Sequence, residues 1–95
     1  MSRKRSKSVA LSYDGEGAPK VVAKGSGKMA RKIIELARQH GIPVYQDEEV
    51  VEYLYRVQLG QEIPEELYEA VATIIAFLIQ KDESLKDRIL KGGLR

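Results

Sequence analysis

The chain has no cysteine, and this absence removes several kinds of chemistry. Without thiols there is no disulfide framework, no thiolate zinc site and no cysteine nucleophile, so redox chemistry is excluded. The sequence also lacks asparagine and has a single histidine, His40. A catalytic triad or a general base normally needs a histidine or a carboxylate pair held in a pocket. At a predicted helix end, His40 is better explained by its favourable interaction with the helix dipole.

Long apolar runs are missing as well. No stretch approaches the roughly 18 residues of a membrane-spanning helix, and the basic opening is not followed by the apolar region of a signal peptide. We therefore expect a cytoplasmic location. The 95 residues, 43% hydrophobic and 32% charged, suit one soluble globular domain with a modest core.

Charge is unevenly distributed along the sequence. Residues 1–28 carry seven Lys or Arg against two acids, whereas residues 47–83 carry ten acids against two cations. The basic start permits an anionic partner, but net charge by itself does not specify one. No aromatic residue for base stacking is interleaved with Arg3, Lys4, Arg5 and Lys7, so a solvated tail is favoured over nucleic-acid binding.

Turn residues and apolar spacing predict a hairpin followed by helices. Two short strand patterns, 9–13 and 20–24, flank a turn-rich segment at 14–19. A first helix is predicted over Lys28 to His40, ended by Gly41, and a second from a cap at Asp47 to about Gln58. A third begins at Pro64, and its many apolar positions predict the central buried element. A last short helix is predicted over 84–90, with Ser84 and Asp87 at capping-box spacing.

A third strand is predicted over the brief apolar run 42–45, with Pro43 at its start. The fold class expected is α/β, a small mixed β-sheet, formed by the hairpin and this strand, packed with three to four helices. Three segments are expected: a flexible basic tail at 1–8, the domain at 9–80, and a helical extension or tail at 81–95.

Three motifs have both a functional and a structural interpretation. Gly25-Ser26-Gly27-Lys28 resembles a phosphate cradle at a helix start, but it completes neither known nucleotide fingerprint, so a tight turn is favoured. Adjacent acids such as Glu48-Glu49 diverge by about 100° on a helix, so we expect no metal site. Tyrosines at helical positions suit either a peptide groove or, more commonly, packing at the core edge; these are Tyr53, Tyr55 and Tyr68.

Several blocks resemble the cytoplasmic domain of the FlhB/YscU family, the switch proteins of flagellar and type III secretion export. They read V-A-L-S-Y-D from Val9, A-P-K-V-V-A-K-G-S-G from Ala18, G-I-P-V from Gly41 and L-G-Q-E-I-P-E-E-L-Y-E-A-V-A from Leu59. In that family an N-P-T-H loop before the first block cleaves its own backbone through its asparagine. Here the equivalent residues are Arg3 to Ser6, and the chain has no asparagine. The resemblance therefore implies the family without its autocleavage.

The resemblance also implies a binding role. In the family this domain meets export substrates and the cytoplasmic parts of the export gate, and cleavage switches the substrate class. A small hydrophobic patch that docks substrates corresponds here to Ala18, Pro19, Ala72 and Ile75. Family members carry membrane helices before this domain, so this chain resembles a free-standing bacterial paralogue without them.

Two functional hypotheses follow, neither enzymatic and neither requiring a cofactor. In the first, the protein is a soluble stand-in for the cleaved carboxy-terminal switch domain, and it contacts export substrates, gate components or a truncated FlhB-type membrane partner without inserting into the membrane. In the second, it is a soluble decoy or chaperone-like binder of substrates that never joins the gate. We rank an enzyme third, because the sequence assembles no nucleophile, base and anion-stabilising group.

Overall fold

The structure is a computed structural model that describes residues 6–82 and 84–85. The elements are strands β1 (Lys7–Ser12) and β2 (Lys20–Ser26), helices α1 (Lys28–Gln39) and α2 (Glu48–Tyr55), a 3-10 turn (Glu65–Leu67) and helix α3 (Tyr68–Lys81). The predicted α/β class is confirmed. The predicted hairpin and the first three predicted helices form, in the predicted order along the chain.

β1 and β2 form an antiparallel hairpin that departs from a regular register at one position. Ala10 lies opposite Ala23, but the next residue, Leu11, lies opposite Val21, so Val22 is an extra residue in β2. Such a bulge bends the strand and increases its twist. The connecting turn uses Gly15 and Gly17 in left-handed conformations, with φ of 88° and 68°.

Helices cover both faces of the hairpin. On one face, the Ser8 hydroxyl donates to the Ala30 carbonyl oxygen of α1 at 2.9 Å. On the other, the Lys7 ammonium pairs with the Glu52 carboxylate of α2 at 2.8 Å. Because consecutive strand residues point to opposite faces, these neighbours attach β1 to both helices. β2 contacts α1 closely at Gly25, where an added Cβ would lie 2.7 Å from the Met29 Cβ.

The predicted third strand is wrong. Residues 42–45 form no strand, and the sheet has two strands within the part of the chain that the structure describes. The connector after α2 takes the free edge of β2 instead: the Gly60 N–H donates to the Val21 carbonyl at 2.7 Å, and the Val21 N–H donates to the Gln61 carbonyl at 3.0 Å. Gly60 and Gln61 supply both a donor and an acceptor, whereas Pro43 has no N–H to donate.

The buried core lies between the α2 face of the hairpin, α2 itself and the start of α3. It consists of Val21, Leu54, Ile63, Leu67 and Val71, which we call the core cluster. Half-buried residues pack around it: Val9, Leu11, Ala18, Val50, Val57 and Ile75. Each fully buried aliphatic side chain contributes about 1.5–3 kcal/mol, so this small cluster supplies much of the stability of the domain.

Helix α3 is less buried than predicted. Val71 is its one buried residue, while Ala72, Ala76 and Phe77 are exposed. The core cluster is small enough that a single stripe of the helix covers it. The remaining apolar positions, which the sequence pattern placed in the interior, are half-buried or exposed. The Phe77 ring contacts the Tyr45 ring edge-on, with 5.6 Å between the two centroids.

The ends of the domain extend beyond the predicted boundaries. β1 begins at Lys7, and the Gly27 N–H donates to the Ser6 carbonyl at 2.8 Å, so Lys7 and Ser8 belong to the sheet rather than to a tail. After α3, Asp82 accepts from the Ser84 N–H at 3.0 Å and so performs the capping role predicted for Ser84. Leu85 is fully buried. The rest of the predicted last helix, including Asp87, lies outside the described residues.

Candidate functional site

The four residues of the predicted docking patch lie in two elements, the hairpin turn and α3. Ala18 and Ile75 are half-buried, and both pack against the core cluster. Pro19 is buried, and its carbonyl oxygen accepts from the Ile63 N–H at 2.9 Å. Ala72 is exposed. The structure therefore places Ala18 and Ile75 against one shared cluster, while Ala72 is on the surface and Pro19 is buried.

The accessible part of this patch is a shallow apolar surface on α3. Ala72 and Ile75 are three residues apart, so their side chains are neighbours on one side of the helix. Tyr68 and Glu69 precede Ala72 by four and three residues and flank it on the same side. Tyr68 is 45% exposed, and its ring offers contact area together with a polar tip. Sequence spacing groups Tyr68 with the other tyrosines and does not associate it with the patch.

The charges near the patch are mostly negative. Glu65, Glu66 and Glu69 are all exposed at the start of α3. Carboxylates in the first turn are favoured by the helix dipole, which explains their presence without a ligand. An apolar surface with an acidic rim suits a partner segment that carries small apolar residues next to basic ones.

The three tyrosines considered as a groove do not line one. The Tyr55 ring lies between two ammonium groups, with Lys7 Nζ 5.6 Å and Lys24 Nζ 5.4 Å from its centroid. Tyr53 is exposed and contacts the Arg56 guanidinium on its own helix at 5.7 Å. Tyr68 lies beyond α2 at the start of α3. The three tyrosines have different neighbours and do not form one groove. Packing at the core edge describes Tyr55 better than a peptide groove does.

Lys24 joins β2 to the end of α2. Its ammonium group donates to the carbonyl oxygens of Tyr55 at 2.9 Å and Val57 at 2.8 Å. The last carbonyls of a helix have no partner within it and carry the negative end of the dipole, so a cation is favourable there. Local sequence patterns do not reveal this contact, because the partners are 31 and 33 residues away.

The glycine motif after β2 serves as a turn. Gly27 has φ of 58°, a conformation that favours glycine, and Gly25 leaves room for Met29 and Ile33 of α1. Neither role involves a ligand. The favoured structural interpretation of Gly25-Ser26-Gly27 accounts for both glycines.

The described residues form no candidate metal site. No group of three His, Asp or Glu side chains there converges on a point that would hold an ion. The His40 Nδ1 lies 2.8 Å from the Leu36 carbonyl oxygen at the exposed end of α1. Glu48 and Glu49 stand in the first turn of α2, where Asp47 accepts from the Val50 N–H at 3.1 Å. No helix in the described part is long and apolar enough to cross a bilayer.

Comparison with known proteins identifies one relative of similar length and one that is much longer than this chain. The chain is 42% identical over 84 residues to the uncharacterized protein YlqH of Bacillus subtilis, covering 86% of this chain and 90% of YlqH. It is 44% identical over 91 residues to the flagellar biosynthetic protein FlhB of Salmonella typhimurium, covering 93% of this chain and 23% of FlhB. The chain thus spans most of one relative and about a quarter of the other.

Solved structures agree with these relatives. The cytoplasmic domain of FlhB from Shewanella putrefaciens superposes with a TM-score of 0.76 at 34% identity, over 86% of this chain and 69% of that one. A mutated EscU/SpaS C-terminal domain gives a TM-score of 0.72 at 32% identity, over 78% and 95%. A sequence model described as the FlhB HrpN YscU SpaS Family matches residues 6–78. The chain therefore belongs to this family, that of the flagellar and type III export switch proteins.

Proposed function

We propose that the protein is a non-enzymatic binding module of a flagellar or type III export apparatus. In this role it stands in for the cleaved carboxy-terminal switch domain and contacts export substrates or gate components. The observation that carries the proposal is the apolar surface formed by exposed Ala72 beside Ile75, which is half-buried and also packs against the core cluster. Ala72 lies next to exposed Tyr68 on this helix, and together the two side chains offer contact area to a partner.

The absence of the cleavage residue supports a binding role. The chain has no asparagine, which is the residue that the family cyclises to cut its backbone. Ser6 and Lys7, at the start of β1, instead contact Gly27 and Glu52. A truncated FlhB-type membrane protein is one partner that this role predicts.

A backbone-amide NMR titration with peptides from the amino-terminal regions of the host's export substrates tests substrate docking. We expect shifts to cluster at Ala18, Ala72 and Ile75. Ala72→Asp should abolish them, because a carboxylate there would lose its hydration against an apolar ligand and add to the acidic rim. Thr73→Asp is the matched control, since it adds the same charge about 100° further round the helix. An equal effect of both variants would argue against docking at this surface.

Genetic replacement tests the place of the protein in the apparatus. Co-expression with a switch protein truncated after its asparagine should restore export in the native host. Failure of rescue by a folded, expressed protein would count against the stand-in role. If substrate peptides still bind while export is not restored, and only substrates co-purify, the protein is a decoy or chaperone-like binder instead.

A further inference from the structure

The outward face of α1 carries unpaired positive charge. Four cations lie on it, Lys28, Arg31, Lys32 and Arg38, and we call them the basic face. All four are exposed, and none forms an ion pair with any residue that the structure describes. Glu35 is the one acid on this helix, and its carboxylate accepts a 3.4 Å hydrogen bond from the Gln39 amide. The charge of the face is therefore available to a partner.

The first turns of α1 depart from the pattern that would stabilise an isolated helix. Carboxylates are favoured at a helix start and cations disfavoured, yet the first turn has no acid and its cap, Gly27, offers no side chain. Lys28, Arg31 and Lys32 concentrate cations there instead. Residues that disfavour the local structure without improving packing are found mainly at functional sites. The inner side of α1 is committed to the sheet through Ala30, so the basic face has a fixed outward direction.

Two large apolar side chains accompany these charges. Met29 is 60% exposed and Leu36 is 41% exposed. They are seven residues apart and lie on one side of the helix, with Lys32 between them at three and four residues' spacing. The whole face runs about 15 Å along the helix, from Lys28 to Arg38. The two apolar side chains flank the basic face on the side of Lys28 and Lys32, about 140–180° round the helix from Arg31 and Arg38. Apolar groups beside cations match a surface that has phosphates outside and hydrocarbon just beneath.

We propose that the basic face of α1 docks on an anionic lipid bilayer, with its cations at the headgroup phosphates and Met29 and Leu36 in the interface. An extended acidic peptide is a poorer match, since peptides are recognised in grooves or at sheet edges, and this face is the outside of one helix. Duplex DNA would satisfy the cations but leaves Met29 and Leu36 without an apolar partner. Docking on the surface requires no segment that spans the membrane.

The opposite side of the molecule supports this orientation. Helix α2, the 3-10 turn and the start of α3 expose acids on the other side of the hairpin from α1, namely Glu48, Glu49, Glu65, Glu66 and Glu69. The protein therefore has a positive and a negative side. An anionic surface attracts the first and repels the second, which turns the basic face toward the bilayer and the docking surface at Ala72 away from it.

Flotation with lipid vesicles tests the proposal on the full chain. The probe is phosphatidylcholine vesicles with about one third phosphatidylglycerol, compared with pure phosphatidylcholine. We expect binding only to the anionic vesicles, weakening steeply between about 0.05 and 0.5 M salt. The double variant Lys28→Glu/Lys32→Glu should lower the partition coefficient by about thirty-fold or more, given the contribution of each cation near such a surface. We expect the double variant to fold, because Lys28→Glu places an acid in the first turn, where the helix dipole favours it.

Matched variants locate the effect. Lys20→Glu/Lys81→Glu changes the net charge equally at exposed positions outside α1, and should lower binding by less than about three-fold. Met29→Ala/Leu36→Ala should weaken binding several-fold at every salt concentration, because it removes only the apolar contact. Substituting Arg3, Lys4 and Arg5 with serine should leave most of the binding. Three outcomes would each overturn the proposal. The two charge-reversal variants could lose vesicle binding equally, or changing residues 3–5 alone could remove it. The protein could also bind duplex DNA and not vesicles.

Discussion

Lys24 makes the contact whose removal tests our account of how α2 is held to the hairpin. In Lys24→Met the aliphatic stem is kept, while the ammonium and its two hydrogen bonds to the carbonyls of Tyr55 and Val57 are lost. A hydrogen bond to a charged group contributes about 1.5–3 kcal/mol. Lys24 is only half-buried, so hydrogen bonds to water offset part of the two lost bonds. We expect the free energy of unfolding to fall by about 2–3 kcal/mol in total.

A loss of this size is easily measured in a domain of 95 residues. Such domains unfold with about 5–10 kcal/mol, and each kcal/mol shifts the melting temperature by roughly 4–8 °C. Urea unfolding followed by circular dichroism should show a lower midpoint with an unchanged m-value, because the surface exposed on unfolding stays the same. Lys20→Met is the control on the same strand, since Lys20 is exposed and should change the free energy of unfolding by less than about 0.5 kcal/mol.

Two further measurements separate the parts of this contact. Tyr55→Leu removes the ring, which lies 5.4 Å from Lys24 and 5.6 Å from Lys7, but keeps the backbone carbonyl. A double-mutant cycle with Lys24→Met therefore separates the Lys24–ring contact from the two hydrogen bonds. The penalty of Lys24→Met should persist at high salt, because screening acts mainly on exposed charges. If Lys24→Met costs no more than Lys20→Met, the ammonium does not bind the end of α2 in solution, and the reasoning is wrong.

Two other substitutions test close contacts and caps. Gly25→Ala should lower the free energy of unfolding by about 1–3 kcal/mol, because the added Cβ would lie 2.7 Å from the Met29 Cβ. Adding Ile33→Val should not restore stability. Full rescue by Ile33→Val would contradict a clash with Met29 as the cause. Asp47→Ala should cost about 1 kcal/mol in urea unfolding through loss of the hydrogen bond from the Val50 N–H, whereas Asp47→Ser should retain much of it. Equal costs for the two substitutions at Asp47 would argue against the capping role.

Local signals in the sequence predicted the helices well. Asp47 caps α2 through the Val50 N–H, and Gly41, with φ of 68°, follows the end of α1. Each of these signals acts within a few residues of the helix it bounds, so a single sequence displays it. The hairpin was predictable for the same reason, because its turn residues separate two short apolar runs.

Contacts between distant residues were not predictable in this way. The segment 42–45 has a strand-like composition, but forming a strand depends on a free neighbouring edge. The connector at Gly60 and Gln61 already pairs with Val21 of β2. The burial of α3 was overestimated because an apolar pattern shows which side chains tolerate the interior, not how many the rest of the fold can cover. For the docking patch, sequence and resemblance named four residues, but only the fold separates buried Pro19 from exposed Ala72.

The start of β1 is held by contacts on both faces of the hairpin. Three consecutive residues there make three different contacts: the Ser6 carbonyl accepts from Gly27, Lys7 pairs with Glu52, and the Ser8 hydroxyl donates to Ala30. Together they attach the strand to both helical layers from its first residue. None of these contacts uses an asparagine, so the position of this strand does not depend on the residue that the family cyclises. The proposed binding role therefore requires no cleavage step to hold β1 between the two helical layers.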